Sequence, residues 1–547
     1  MANENTPKRR LLFLTVNSSF SHSSLALPLL HAASNSVTEW EWFRYDMTLG
    51  QDIMGAIREM VSFKCDLLVT TLYLFNSKTA LEVLQRYHAL FPECRIAAGG
   101  PECLGDGAVE LLTRFPWLDH VFRGEGEEIF KNYLENFDTP DKLPGKISPP
   151  EGNAVFKDWT NSPCPVCDPF FVTEKPFVQM ETSRGCPMGC YYCTSGGTLP
   201  RYRTLEQVRE ELSILSSKGV KELRILDRTF NLPKSRGAAL LRLFREEFPH
   251  MKFHLELHPQ FLDDNLKNEL SLAQPGQLHI ETGIQCLDPG VQDLSGRRSK
   301  REAVLEGMSF LCSCSAFETH ADLLAGLPEQ KWEHILNDVS TLISLNVAEI
   351  QLELLKVLPG TPLREIAPRH GIKYSPEPPY DVMESGTMTL EEMQHARDLS
   401  RILDMTYNHK YLHSVCLELH KECPEFAGKL LEFFHKMGGS ANSVWDLKKR
   451  FLFLLEFCRA NSFEKALHTL NFEWLRAGYP AEQGADLFSK RIPALPEKAV
   501  LLEGNGECAK AKESRIYRLS AGEKEFFFAF NRSFALNLPA GIWELRP

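Results

Sequence analysis

The sequence lacks long hydrophobic runs, a basic excess, internal repeats and low-complexity tracts. In its 547 residues no apolar stretch approaches the length that crosses a bilayer. The formal net charge of -11 implies no broad basic surface, so no nucleic-acid partner is indicated. The apolar stretch near the start breaks at Asn17 without a small-residue cleavage site, which argues against a signal peptide. With 15 cysteines and no secretion signal, we expect a cytoplasmic protein whose clustered cysteines bind metal.

Residues 1–138 alternate short β-prone segments with helical patterns, which predicts a parallel, doubly wound, Rossmann-like sheet. Ligands of such sheets sit at the carboxyl ends of the strands. Each residue predicted at those ends could be an ordinary turn residue, but their shared edge favours a ligand site. The candidate contacts are Asn17, Ser18, Tyr73, Gly99, Gly100, Glu102, Gly124 and Glu125.

Three further regions follow along the chain. Residues 139–175, rich in Pro, Asp and Lys, are predicted to be a linker. Between 176 and 375, six strand candidates alternate with helical patterns, as in a partial (β/α)6 barrel, whose active site lies at the carboxyl ends of its strands. Residues 376–547 are predicted to be mainly helical with a β-like tail.

Three cysteines directly follow the first strand of the predicted barrel. Cys186, Cys190 and Cys193 have the spacing C-x3-C-x2-C. Three thiolates from one tight loop can hold three irons of a cubane cluster and leave the fourth iron open to a small chelating substrate. A zinc ribbon is the competing interpretation, because Cys164-x2-Cys167 stands upstream, but a ribbon would leave Cys193 unused. The role of Cys164 and Cys167 stays open.

At this motif, SRGCPMGCYYC at 183–193, the sequence resembles the radical S-adenosylmethionine (SAM) superfamily. Its domain order resembles the cobalamin-binding branch, and finer stretches are similar to a poorly characterised subgroup with its own helical C-terminal domain. Those stretches are NSSFSHSSLAL at 17–27, GGPE at 99–102, RGEGEE at 123–128, LDRTFN at 226–231, ETGIQ at 281–285, DLLAGLP at 322–328 and LLKVLPGTPL at 354–363. The resemblance covers most of residues 10–375.

The resemblance implies that Cys186, Cys190 and Cys193 ligate a 4Fe–4S cluster whose open iron binds SAM. It also implies reductive cleavage of SAM to methionine and a 5′-deoxyadenosyl radical, an electron donor such as flavodoxin or ferredoxin, and cobalamin in the N-terminal domain. The residues expected to contact SAM lie near the cluster loop or at strand ends, where each could instead make a structural hydrogen bond. They are Tyr192, which could pack on the adenine, Asp227, Arg228, Glu256, Glu281, Gln285 and Asp322.

One feature departs from the family pattern. The N-terminal domain has no D-x-H-x-x-G, through which many cobalamin domains supply a histidine to cobalt, so cobalamin is inferred mainly from domain order. The leading hypothesis is a cobalamin-dependent methyltransferase acting on an unactivated carbon. The alternatives are a radical SAM enzyme that cyclises, rearranges or oxidises its substrate, and, more distantly, a zinc-ribbon binding protein. Nothing in the sequence identifies the substrate.

Overall fold

A computed structural model describes residues 8–479, 489–504, 506, 514–521, 524–530 and 541–545. The chain divides into two compact units. The first unit comprises Met1–Thr319, Gly326–Lys331 and Leu354–Met393. The second unit comprises His320–Ala325, Trp332–Glu353 and Gln394–Pro547.

The first unit begins with a six-stranded sheet and five helices. Its elements in chain order are β1 (Arg9–Asn17), α1 (Ala26–Ala33), β2 (Trp40–Thr48), α2 (Ile53–Met60), β3 (Leu67–Thr71), α3 (Ser77–Leu90), β4 (Arg95–Gly99), α4 (Gly107–Arg114), β5 (His120–Phe122), α5 (Gly126–Glu135) and β6 (Ile147–Ser148). The strands pair in parallel in the order β2-β1-β3-β4-β5-β6. This confirms the doubly wound fold, whose order reverses between β1 and β3, the point where such sheets bind ligands.

Burial explains why β1 is an interior strand of this sheet, between β2 and β3. Leu12 and Leu14 pack into the core on one face, and Leu11 and Phe13 pack into the core on the other. A strand buried on both faces reads as a continuous apolar run, as LLFLTV does. The segment predicted as a linker, 139–175, contributes β6 to the sheet, and a strand of two residues carries no periodic signal in the sequence.

The alternation of strands and helices continues as predicted. The elements are β7 (Val178–Met180), β8 (Ser183–Cys186), β9 (Thr198–Tyr202), α6 (Leu205–Ser217), β10 (Glu222–Ile225), α7 (Lys234–Glu247), β11 (Lys252–Leu257), α8 (Asp264–Ser271), β12 (Leu278–Gln285), α9 (Pro289–Leu294), α10 (Arg301–Ser313), β13 (Glu318–Ala325), α11 (Trp332–Ser344), β14 (Glu349–Leu354), α12 (Pro362–Ile366), β15 (Lys373–Tyr374) and β16 (Val382–Glu384). In the first unit, β7, β10, β11 and β12 pair in parallel in that order. The strands β8 and β9 form an antiparallel hairpin.

The C-terminal region is helical, as predicted, and ends in a sheet. The helices are α13 (Leu390–Met405), α14 (His413–Glu422), α15 (Phe426–Lys436), α16 (Leu447–Asn461) and α17 (Glu464–Arg476), and the strands are β17 (Ser489–Ile492), β18 (Ala499–Gly504), β19 (Arg515–Ala521), β20 (Lys524–Phe530) and β21 (Gly541–Leu545). These five strands are antiparallel in the order β17-β19-β20-β21-β18. Within the described parts of the chain, no helix has both the length and the apolar composition needed to cross a membrane.

Candidate functional site

The three motif cysteines lie on the β8–β9 hairpin, directly after β7. Cys186 ends β8 and is buried, as is Cys190, whereas Cys193 is partly buried. Burial raises the pKa of the Cys193 thiol, Arg228 lowers it, and the neighbouring Cys190 and Cys186 raise it. Cys193 packs against the buried Cys186 and Cys190, so the three thiols lie in one region at the end of the strands.

The placement of three thiols on one hairpin suits an iron–sulfur cluster, which takes one thiolate at each of three irons. Among the residues that the structure describes, no group of three or more His, Cys, Asp or Glu side chains is arranged to hold a single metal ion.

The loop after β10 anchors the cysteine hairpin. The buried carboxyl of Asp227 accepts hydrogen bonds from the backbone N–H of Thr182 and Ser183, at 2.7 and 2.8 Å, and from the Thr182 hydroxyl. The Thr229 hydroxyl lies 3.2 Å from the sulfur of Cys186. Asp227 was predicted to contact SAM, whereas here its oxygens hold the chain that enters β8.

Arg297, which the sequence analysis missed, reaches the cysteine loop from the segment after α9. Its Nη1 donates to the Cys190 sulfur at 3.6 Å, and its Nη2 donates to the carbonyl oxygen of Gly283. The two segments touch closely, since a Cβ at Gly296 would lie 2.4 Å from the carbonyl oxygen of Gly189. The buried Arg297 side chain therefore links the Cys190 sulfur to the backbone of β12.

Most of the predicted SAM contacts lie at strand ends of the first unit, where they pair with one another or with neighbours. The Arg228 guanidinium lies 3.7 Å from a carboxylate oxygen of Glu256. The Glu281 carboxylate lies 2.7 Å from Nε2 of His254. Tyr192 packs beside the buried Cys186 and Cys190. Asp322 belongs to the second unit, where its Oδ1 lies 3.1 Å from Nε2 of His320.

Gln285 has the features of a ligand contact. It ends β12 with φ of 68°, a conformation that residues other than glycine rarely adopt. Its side-chain oxygen is buried without a hydrogen-bond partner in the structure. Backbone strain and an unsatisfied buried acceptor occur together at binding sites, because the ligand supplies the missing donor.

Four of the eight candidates at the N-terminal sheet edge have structural roles. Glu102 accepts a hydrogen bond from the Tyr380 hydroxyl at 2.9 Å, and Glu125 accepts two from Arg201, at 2.5 and 2.7 Å. The other two are Gly100 and Gly124, glycines with positive φ. A Cβ at Gly100 would lie 2.6 Å from Thr71 Cγ2, and a Cβ at Gly124 would lie 2.4 Å from the Ala154 nitrogen.

The other four candidates surround the switch point or lie beside it. Asn17 is buried at the end of β1, Ser18 is exposed directly after it, and Gly99 ends β4 beside Phe122. Tyr73 follows β3, and burial raises the pKa of its hydroxyl. The hydroxyl also lies within electrostatic reach of Glu181, Arg228 and Arg184, all next to the strand ends or the hairpin of the barrel segment. Within the first unit, the residue that follows β3 therefore lies close to the strand ends of the barrel segment.

Arg184, also missed by the sequence analysis, joins these two regions. Its guanidinium forms ion pairs with Glu127 of α5 at 2.7 Å and with Glu181 after β7 at 2.8 Å. Burial opposes the charge, but Glu181 and Glu127 raise the pKa of Arg184. The charged hairpin is thus attached to the N-terminal domain by buried ion pairs.

Comparisons with known proteins agree with this geometry. The Radical SAM superfamily matches residues 180–342, and a family described as a protein of unknown function, DUF4080, matches residues 368–494. An uncharacterised methyltransferase of Pyrococcus horikoshii is 24% identical over 344 residues, which cover 59% of this chain and 72% of that protein. The cobalamin-dependent radical SAM methyltransferase TokK of Streptomyces tokunonensis is 21% identical over 397 residues, 65% of this chain and 58% of that protein.

Among solved structures, the radical SAM methyltransferase TsrM of Kitasatospora setae superposes with a TM-score of 0.56 at 17% identity, covering 68% of this chain and 80% of that one. This likeness shows a shared fold. The superfamily match spans the cysteine hairpin, the Asp227 loop and Gln285, the parts of the site built above. The chain therefore contains a radical SAM domain, matched at residues 180–342, and is an enzyme.

Proposed function

We propose that this enzyme is a cobalamin-dependent radical SAM methyltransferase that acts on an unactivated carbon. The observation that carries the proposal is the pairing of two sites within the first unit. The cysteine hairpin and the strained Gln285 lie at the strand ends of the barrel segment. Tyr73, at the switch point of the first sheet, lies close to Arg184 of that hairpin and to Glu181 and Arg228 beside it. The cobalamin-dependent relative TokK supports this assignment.

The residues present fit a 4Fe–4S cluster with SAM. Cys186, Cys190 and Cys193 would hold three irons, and Arg297 would hold the Cys190 sulfur in place. Gln285 would donate its amide N–H or accept from SAM through its buried oxygen. When bound, the cluster would supply the electron for reductive cleavage of SAM. An external reductant such as a flavodoxin or ferredoxin would provide that electron.

The switch-point edge fits a flat, polar-rimmed cofactor such as cobalamin without a histidine ligand. Asn17, Ser18 and Tyr73 offer polar groups there, and Gly99 lets the backbone approach. Glu102 and Glu125 shape this edge through Tyr380 and Arg201 and would not contact the cofactor directly. When bound, methylcobalamin would supply the transferred methyl group.

Metal content and SAM cleavage together test the proposal. The full chain is purified without oxygen, reconstituted with iron, sulfide and hydroxocobalamin, and analysed for iron, cobalt and zinc. We expect about four irons per chain, bound corrinoid, and 5′-deoxyadenosine on addition of a strong reductant. The triple variant Cys186→Ala, Cys190→Ala, Cys193→Ala should lose iron and cleavage, whereas Cys312→Ala, which removes a partly buried thiol in α10, should keep both.

Each other outcome contradicts a defined part of the proposal. Iron with SAM cleavage but without corrinoid would exclude the cobalamin-dependent reaction and favour a non-methylating radical SAM enzyme. Zinc without iron or cleavage would exclude radical SAM chemistry at this loop.

A further inference from the structure

Two further thiols, those of Cys164 and Cys167, lie in the first unit outside the cysteine hairpin. Cys164 precedes the 3₁₀ turn Pro165–Cys167, and the backbone N–H of Cys167 donates to the carbonyl oxygen of Cys164 at 3.3 Å. Side chains three residues apart in a 3₁₀ turn lie above one another. The two thiols accordingly lie on the same side of the turn.

The surroundings of the two thiols differ. Cys167 is exposed, whereas Cys164 is partly buried beside the carboxyl of Glu211 in α6. Burial raises the pKa of Glu211 to about 7, although Arg203 and Cys164 oppose the shift. Burial, Glu211 and Cys167 raise the pKa of Cys164 to about 12. One thiol is therefore open to solvent, and the other has a neighbouring group able to accept its proton near neutral pH.

The turn is held at both sides by side chains from neighbouring helices. Lys218, directly after α6, donates to the carbonyl oxygen of Val166 at 2.9 Å. His31 of α1 lies 2.6 Å from the buried carboxylate of Asp168. A fixed turn keeps two sulfurs close, which lowers the entropy lost when they join.

We propose that Cys164 and Cys167 form a thiol–disulfide exchange site that reacts with aliphatic disulfides. The Cys167 thiolate attacks a disulfide RSSR, forms a mixed disulfide and releases one thiolate RS⁻. Cys164 gives its proton to Glu211 and attacks the Cys167 sulfur, which releases the second RS⁻ and leaves a Cys164–Cys167 disulfide. Two protein thiols are oxidised, and one external disulfide is reduced to two thiols after protonation. This inference is independent of the proposed function.

The test follows exchange on the full chain with glutathione disulfide, without oxygen, by alkylation and mass spectrometry of the peptide that contains residues 164–167. We expect the parent protein to form an internal disulfide. Cys164→Ser should stop at a mixed disulfide on Cys167, and Cys167→Ser should react at neither position in the same time. Cys312→Ser should behave as the parent does.

The Glu211→Gln variant tests whether this carboxylate assists the second step. If Cys167 were merely an exposed cysteine, the substitution would not change how fast the mixed disulfide is resolved. The mixed disulfide should accumulate because its resolution at pH 7 slows about tenfold or more, while the first attack keeps its rate. Repeating the exchange with an oxidised dithiol protein distinguishes a protein disulfide from a small-molecule one. A stable mixed disulfide in the parent protein, or thiols that react only after zinc is removed by a chelator, would overturn the proposal.

Discussion

Replacement of Asp227 by alanine is expected to destabilise the first unit strongly. The carboxyl of Asp227 accepts the backbone N–H groups of Thr182 and Ser183, at 2.7 and 2.8 Å. All three residues are buried. A buried N–H group left without an acceptor costs about 1–3 kcal/mol, so the two together cost about 2–6 kcal/mol. At about 2 °C per kcal/mol for a unit of this size, the melting temperature should fall by about 4–12 °C.

Calorimetry of the cluster-free protein measures this change, because a bound cluster or SAM would add its own stabilisation. Asp227→Asn keeps one carbonyl oxygen and should melt between the parent and Asp227→Ala. Asp264→Ala, at an exposed position in the first turn of α8, should cost less than about 1 kcal/mol. If Asp227→Ala melted with the parent while SAM bound more weakly, this carboxyl would be a ligand contact, as the sequence suggested, and its structural role would be refuted.

Three further perturbations test separate parts of the structure. Gly296→Ala should reduce iron retention and lower the melting temperature far more than Gly276→Ala. Both glycines have φ near 70°, but of the two only Gly296 has backbone and a ring within 3 Å of an added Cβ. Equal effects of the two substitutions would contradict the close contact. Gln285→Gly should relieve backbone strain and stabilise the unit by about 1 kcal/mol. It should also weaken SAM binding about tenfold, which calorimetric titration would detect. Unchanged SAM binding would show that Gln285 is not part of the site. Burial lowers the pKa of His120 to about 4, so stability present above pH 6.5 should be lost as pH falls towards 4, by up to about 3 kcal/mol; His120→Gln should flatten that part of a pH series of melting temperatures, and an unchanged slope would refute the assignment.

The fold could be predicted from the sequence, and candidate metal ligands could be named, because both leave local signals. The run LLFLTV in β1 indicates a strand buried on two faces, and three cysteines within eight residues define one loop. Arg297 carries no such signal, since its approach to Cys190 depends on how the segment after α9 packs against the hairpin. Asp227 was placed correctly at a strand end, but sequence position alone could not tell whether its carboxyl meets a ligand or the neighbouring backbone.

The acidic stretch RGEGEE at 123–128 illustrates the same ambiguity and bears on the role of the N-terminal domain. Two of its three glutamates pair with arginines of the cysteine hairpin: Glu127 with Arg184 at 2.7 Å and Glu125 with Arg201 at 2.5 Å. Removing one partner of a buried ion pair leaves an uncompensated charge that costs about 3–5 kcal/mol. A chain that lacked the N-terminal domain and began at the hairpin would therefore leave Arg184 and Arg201 without these glutamates. The N-terminal domain thus helps to position the cysteine hairpin, whether or not that domain also binds cobalamin.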